Sequence, residues 1–148
     1  KASKDLSKAM LGYGSIFASD FITNRLVGDS IGTYDPYLRL IKIHKDNGEN
    51  AAIFSYSAHA TCFGHKQRKI SGDYPGKVVS MLEDSQEIDF AVFGAGAVGS
   101  MSPRTLGKDG EKKLQEISYG LFERILPAFR SIGTKYEYKL NSNILILR

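Results

Sequence analysis

Residues 37–58, YLRLIKIHKDNGENAAIFSYSA, decide the fold. In YLRLIKIHK, Leu38, Leu40 and Lys42 fall on one side of an extended chain and Arg39, Ile41 and Ile43 on the other. That alternation, with its β-branched residues, reads as a strand. DNGEN reads as a turn, because Asn and Gly tolerate the positive φ that a tight hairpin connection demands. AAIFSYSA is the return strand, so the expectation is a β-hairpin over about 37–58.

The return strand runs straight into SAHATCFGHKQRKISGD at 57–73, which carries His59, His65 and the chain's single cysteine, Cys62. Residues 60–72 read as loop. Asp73 and Pro75 then suit the start of a helix over about 74–84, with Val78, Val79 and Leu82 on one face. IDFAVFGAGA, at 88–97, is a compact apolar run ending in glycines, the pattern of a buried strand feeding a loop. GSMSPRTLGKDG is read as loop. Leu114, Ile117, Leu121, Ile125 and Phe129 recur every three or four residues and predict an amphipathic helix over about 111–126, which Pro127 kinks or ends.

Upstream, Ala2–Ala9 reads as the end of a helix. LGYGSIFASDFITNR, at 11–25, reads as one or two short strands with a bend, closing at Asn24-Arg25. LVGDSIGTYDP, at 26–36, is loop by its Gly, Asp and Pro content. Downstream, Tyr136, Tyr138 and Leu140 alternate with charged residues as a half-buried strand, and ILIL at 144–147 is a further apolar strand or its continuation. Strands and helices alternate after the hairpin. The fold class expected is α/β, a mixed β-sheet with flanking helices. Ligand sites in such sheets gather where loops leave the carboxyl ends of strands, here after Ala58 and from Gly94.

The chain has 148 residues, enough for a single domain with a real core. Hydrophobic residues make up 42% and charged residues 24%, an ordinary soluble balance. One cysteine excludes an internal disulfide and any multi-cysteine zinc site. KASKDLSKAM lacks the apolar core of a signal peptide. The net charge of +4 is spread along the chain, without the clustered, aromatic-interleaved pattern of a nucleic-acid surface. Nucleic acid is therefore not expected as a partner. The basic balance permits attachment to an anionic lipid or membrane surface that salt would weaken.

His59, at a strand end, has the placement of a zinc ligand if other donors converge, or of a hydrogen-bonded core histidine. His65 beside Lys66 reads as surface, and His44 sits at a hairpin end with no assigned role. Cys62 reads as a small buried thiol. GAGAVGSMSPR, at 94–104, presents Ser100 and Ser102 on a glycine-rich turn whose backbone N–H groups suit an anion. It matches neither the Gly-x-Ser-x-Gly elbow nor a Walker loop. Arg25 suits a carboxylate or oxyanion, or a surface salt bridge.

Taken in order, Asn24-Arg25, DPYLRL at 35–40, SAHAT at 57–61, ISGD at 70–73 and GSMSPR at 99–104 resemble the neutral/alkaline non-lysosomal ceramidases, in their amino-terminal catalytic domain. Ser100 stands where that family commonly has an acidic or amide residue. The resemblance implies a zinc amidase that cleaves the N-acyl bond of ceramide or a related lipid. It implies His59 as a metal ligand, Ser102 as the active-site serine and Arg25 as a substrate-binding residue. Its other zinc ligands are a histidine upstream and a glutamate and tyrosine far downstream. Residues 1–148 are thus expected to be an internal part of a larger catalytic domain, partnered by the remainder of its own polypeptide. A secreted or periplasmic location is implied by the family alone. The alternative is a non-catalytic α/β scaffold without a complete metal site.

Overall fold

A computed structural model describes residues 6–65, 67, 68 and 70–136. Its strands are β1 (Ala9–Phe17), β2 (Ile22–Asn24), β3 (Tyr37–Lys45), β4 (Asn50–Tyr56), β5 (Phe90–Ala95) and β6 (Met101–Pro103). Its helices are α1 (Asp73–Asp84) and α2 (Gly110–Ser131), with a 3-10 turn at Ser19–Phe21. The main sheet has the order β1-β3-β4-β5, and β2 and β6 form a separate ladder. β1 pairs antiparallel with β3, β3 with β4 in the expected hairpin, and β4 pairs parallel with β5 across the α1 crossover. The class is α/β with a mixed sheet.

Both helices cover one face of the sheet. Leu38 and Leu40 of β3, Phe54 and Tyr56 of β4, and Ala91 of β5 point into this layer. There they meet Val78 and Leu82 of α1 and Ile117, Leu121 and Ile125 of α2. Fully burying each such side chain contributes about 1.5–3 kcal/mol. Lys42 lies on the same side as Leu38 and Leu40. Its ammonium donates to the Phe129 and Ile132 carbonyls at 3.0 and 3.2 Å, placing a cation at the carboxyl end of α2. Gly12 of β1 lets that end approach: a Cβ there would stand 2.4 Å from the Gly133 oxygen.

The described residues leave the opposite face open. Tyr13, Ile41, Ile53 and Val92 lie side by side in one register row across all strands of the main sheet. All are exposed, Tyr13 at 81%. Phe90 beside them is exposed at 59%. The 88–97 run therefore makes an edge strand buried on one side only, not the fully buried strand its composition predicts.

Three further readings are corrected. α2 runs through Pro127 to Ser131, because Leu126 and Phe129 keep the last turn in the core while Pro127 faces solvent. The helix starts on Asp109, whose carboxylate accepts from the Lys112 amide at 2.8 Å. Residues 101–103, read as loop, form β6 because a distant segment, Ile22–Asn24, pairs with them. Ala9 opens β1 rather than ending a helix, and residues 6–8 precede it without helical structure. Lys135 bridges to Leu11 next to β1. The rest of the expected carboxyl-terminal strands, including ILIL, and the first residues of the expected opening helix lie outside the described residues. Among those described, no helix is long and apolar enough to cross a membrane.

Candidate functional site

The parallel pairing of β4 and β5 puts their carboxyl ends side by side, so the loops starting at Ser57 and Gly96 emerge together. The contact is tight. The Gly96 amide donates to the Tyr56 carbonyl at 3.1 Å. A Cβ on Gly96 would come within 2.3 Å of the Ser57 Oγ. Only glycine fits there without a shift.

Three sequence-predicted site residues converge on this rim. The His59 amide donates to the Met101 carbonyl at 3.2 Å. Standard backbone dimensions then keep the Cα atoms of His59 and Ser102 within about 9 Å of each other. Ser102 pairs with Thr23 in the β2–β6 ladder. Arg25 follows directly: its amide donates to the Ser100 carbonyl at 2.9 Å. Its Nη2 and Nε grip the Gly99 carbonyl at 2.8 and 3.2 Å. Arg25 thus braces the serine loop through a carbonyl. Behind it, the Asn24 side chain accepts from the Leu26 and Val27 amides and donates to the Thr33 carbonyl, fixing the turn after β2. Asp29 accepts from Thr23 and pairs with Arg104, tying that turn to the far end of the serine loop.

The His59 ring is half-buried and makes no hydrogen bond to a described residue, whereas its backbone is anchored. His65 is exposed in the loop. His44 sits at the opposite end of the hairpin, its Nδ1 2.8 Å from the Asn50 Oδ1. Cys62 is buried, and burial first, then Asp73, pushes its thiol up well beyond the ordinary range. It is unreactive in this setting.

Two carboxylates outside the predicted site residues also anchor these loops. Asp35 stands beside the Ser57 turn, accepting from Ser57 Oγ at 3.2 Å and from Arg39 Nη1 at 2.6 Å. Partial burial pushes Asp35 up, but hydrogen bonds from Arg39 and the Tyr37 amide outweigh it and hold the carboxyl below its ordinary 3.8. The DP that precedes YLRL was the available signal. Asp73 accepts from the Cys62 amide at 3.0 Å. In the sequence it reads as a helix start and closes the ISGD motif.

Among the described residues no three histidine, cysteine, aspartate or glutamate side chains gather to hold a metal ion. A groove of about 580 Å³ lies on the open face of the sheet, lined by Tyr13, Ile41, Ile53 and Gly94 among others. It touches none of His59, Ser102 and Arg25.

An α/β sheet with polar residues gathered beside the carboxyl ends of its parallel strands is a scaffold that carries many unrelated sites. The chain is similar in structure to the neutral ceramidase of Pseudomonas aeruginosa, with a TM-score of 0.70 and 22% identity over 88% of this chain. A ceramidase complexed with C2 is likewise similar, with a TM-score of 0.73 and 22% identity over 88% of this chain. The chain spans 23% of the length of each of these solved chains. At that identity the likeness establishes the shared fold. No family profile and no curated protein sequence matches the chain.

Proposed function

We propose that this chain contributes part of the active site of a hydrolase that cleaves the N-acyl bond of ceramide or a related lipid. The observation that carries the reading is the hydrogen bond from the His59 amide to the Met101 carbonyl. It brings the histidine loop against the serine loop in a fold shared with ceramidases. In this reading Ser102 presents its hydroxyl to the scissile carbonyl, where a preorganised donor is worth several kcal/mol. Arg25 binds the polar end of the lipid with the N–H groups that Gly99 leaves free. His59 supplies one ligand to zinc. The other ligands come from polypeptide outside this chain, since a catalytic zinc normally takes three protein ligands.

The absence of a three-ligand cluster among the described residues favours a second reading, an α/β scaffold without chemistry. One set of variants of the complete protein separates the two. His59→Ala should remove bound zinc and N-acyl hydrolysis with little change in melting temperature. Ser102→Ala should keep the metal and lose about 10²–10³-fold in turnover. If His59→Ala instead keeps zinc and specific activity while stability drops by about 1–3 kcal/mol, His59 is structural and the hydrolase reading of this site fails.

A further inference from the structure

We propose that Asp73 and Tyr74 are positioning residues for His59, a clamp at the start of α1 that fastens both ends of the loop carrying the imidazole. The functional importance of the loop rests on the hydrolase reading; the clamp itself rests on geometry. The fully buried Tyr74 hydroxyl donates to the carbonyl of Ala58, the residue before His59. On the far side, one oxygen of Asp73 accepts from the amides of Cys62 and Phe63 at 3.0 and 3.4 Å. Its other oxygen accepts from the Tyr74 amide at 2.7 Å.

The clamp is held in an unusual shape. Asp73 has φ +51°, in the left-handed region that aspartate visits more readily than most side chains. The Ser71 hydroxyl accepts from the Asp73 amide at 3.0 Å and steadies this conformation. Between the two fastened ends, the His59 amide is tied to Met101, and the His59 carbonyl accepts from Thr61 Oγ1 at 3.2 Å. The backbone on each side of the histidine is therefore fixed, while the half-buried ring makes no hydrogen bond to a described residue. A core histidine is ordinarily held by its ring nitrogens. Here the described residues hold the backbone instead.

The single cysteine reports on the clamp, since Cys62 is 3% exposed and its amide is one of the fastened groups. The test uses Asp73→Asn, Tyr74→Phe and, as a control elsewhere on α1, the core substitution Leu82→Ala. Asn tolerates the left-handed backbone but places an N–H₂ against backbone donors; Phe keeps the ring and removes only the hydroxyl. In the complete folded protein, with alkylation of Cys62 followed on its own peptide and divided by the unfolded fraction, Tyr74→Phe should react about tenfold faster than the parent, whereas Leu82→Ala stays within about twofold. Asp73→Asn also removes a charge that pushes the thiol up, so it is judged by the His59 ring alone. The ring resonances of His59 should move toward solvent-averaged positions in the clamp variants and stay put in the control. If Tyr74→Phe matches Leu82→Ala in thiol rate, or both clamp variants match it in ring resonance, the proposal is wrong. If Asp73→Asn does not fold, Tyr74→Phe decides alone. Neither readout needs metal or substrate, so the clamp can hold while His59→Ala refutes the hydrolase reading, and the reverse.

Discussion

Arg25 holds the carbonyl of Gly99 across 74 positions of sequence, with Nη2 at 2.8 Å and Nε at 3.2 Å. A lysine has no fork to make both bonds. Arg25→Ala and Arg25→Lys should each lower stability by about 0.5–1.5 kcal/mol, the scale of an exposed hydrogen-bonded contact. In the complete protein both should raise KM more than they lower kcat. A variant with KM unchanged and kcat reduced would show that the guanidinium acts on the reaction rather than on capture.

The approach of Gly96 to Ser57 gives a second prediction. Gly96→Ala should cost about 1–3 kcal/mol, because the new methyl overlaps the serine side chain. Ser57→Gly in the same chain should recover part of that loss, a positive coupling in a double-mutant cycle measured by urea denaturation. Additive losses would mean that the Ser57 side chain is not what resists the new methyl.

Leu40 and Ile41 are neighbours in sequence with opposite surroundings. Leu40→Ala should cost about 2–5 kcal/mol, because it leaves a cavity between β3 and the helices. Ile41→Ala, on the open face, should cost less than about 1 kcal/mol. Equal losses on chemical denaturation would mean that the outer face is covered in solution.

The Asp35 carboxyl is held below its ordinary value, so the folded state binds its proton less readily than the unfolded chain does. Its stabilisation is present above the unfolded value of 3.8 and is lost as pH falls through the lower folded one. The gap in urea midpoint between the parent and Asp35→Asn should be constant near neutrality and narrow below about pH 4. The gap itself is small, below about 1 kcal/mol, because Arg39 is solvent-exposed and water screens its pair with Asp35. A gap that widens on acidification would reverse the assignment.

Much of the architecture was legible because its signals are local. Asn47-Gly48 and the alternation of Leu38 and Leu40 against Arg39 and Ile41 define the hairpin without outside information. α1 is equally local, with Pro75 in its first turn and Val78 and Leu82 one turn apart. What could not be read depends on distant partners. β6 exists because Ile22–Asn24 pairs with it. The reach of α2 beyond Pro127 depends on the core that receives Phe129. Whether Val92 is covered depends on how many layers stack on the sheet, which no property of IDFAVF records. In the site, His59 stood out at the end of a strand, whereas the task of Asp73 depends on the backbone amides of a loop ten residues away.

The β2–β6 ladder also sets when the rim of the candidate site can come into being. It joins residues 22–24 to residues 101–103, so the chain between them must be made and largely ordered before Thr23 can face Ser102. On the ribosome, the early hairpin can close while the serine loop is still unmade. A nascent chain that stalls before Met101 would carry His59 without the carbonyl that receives its amide, and this rim would stay unjoined.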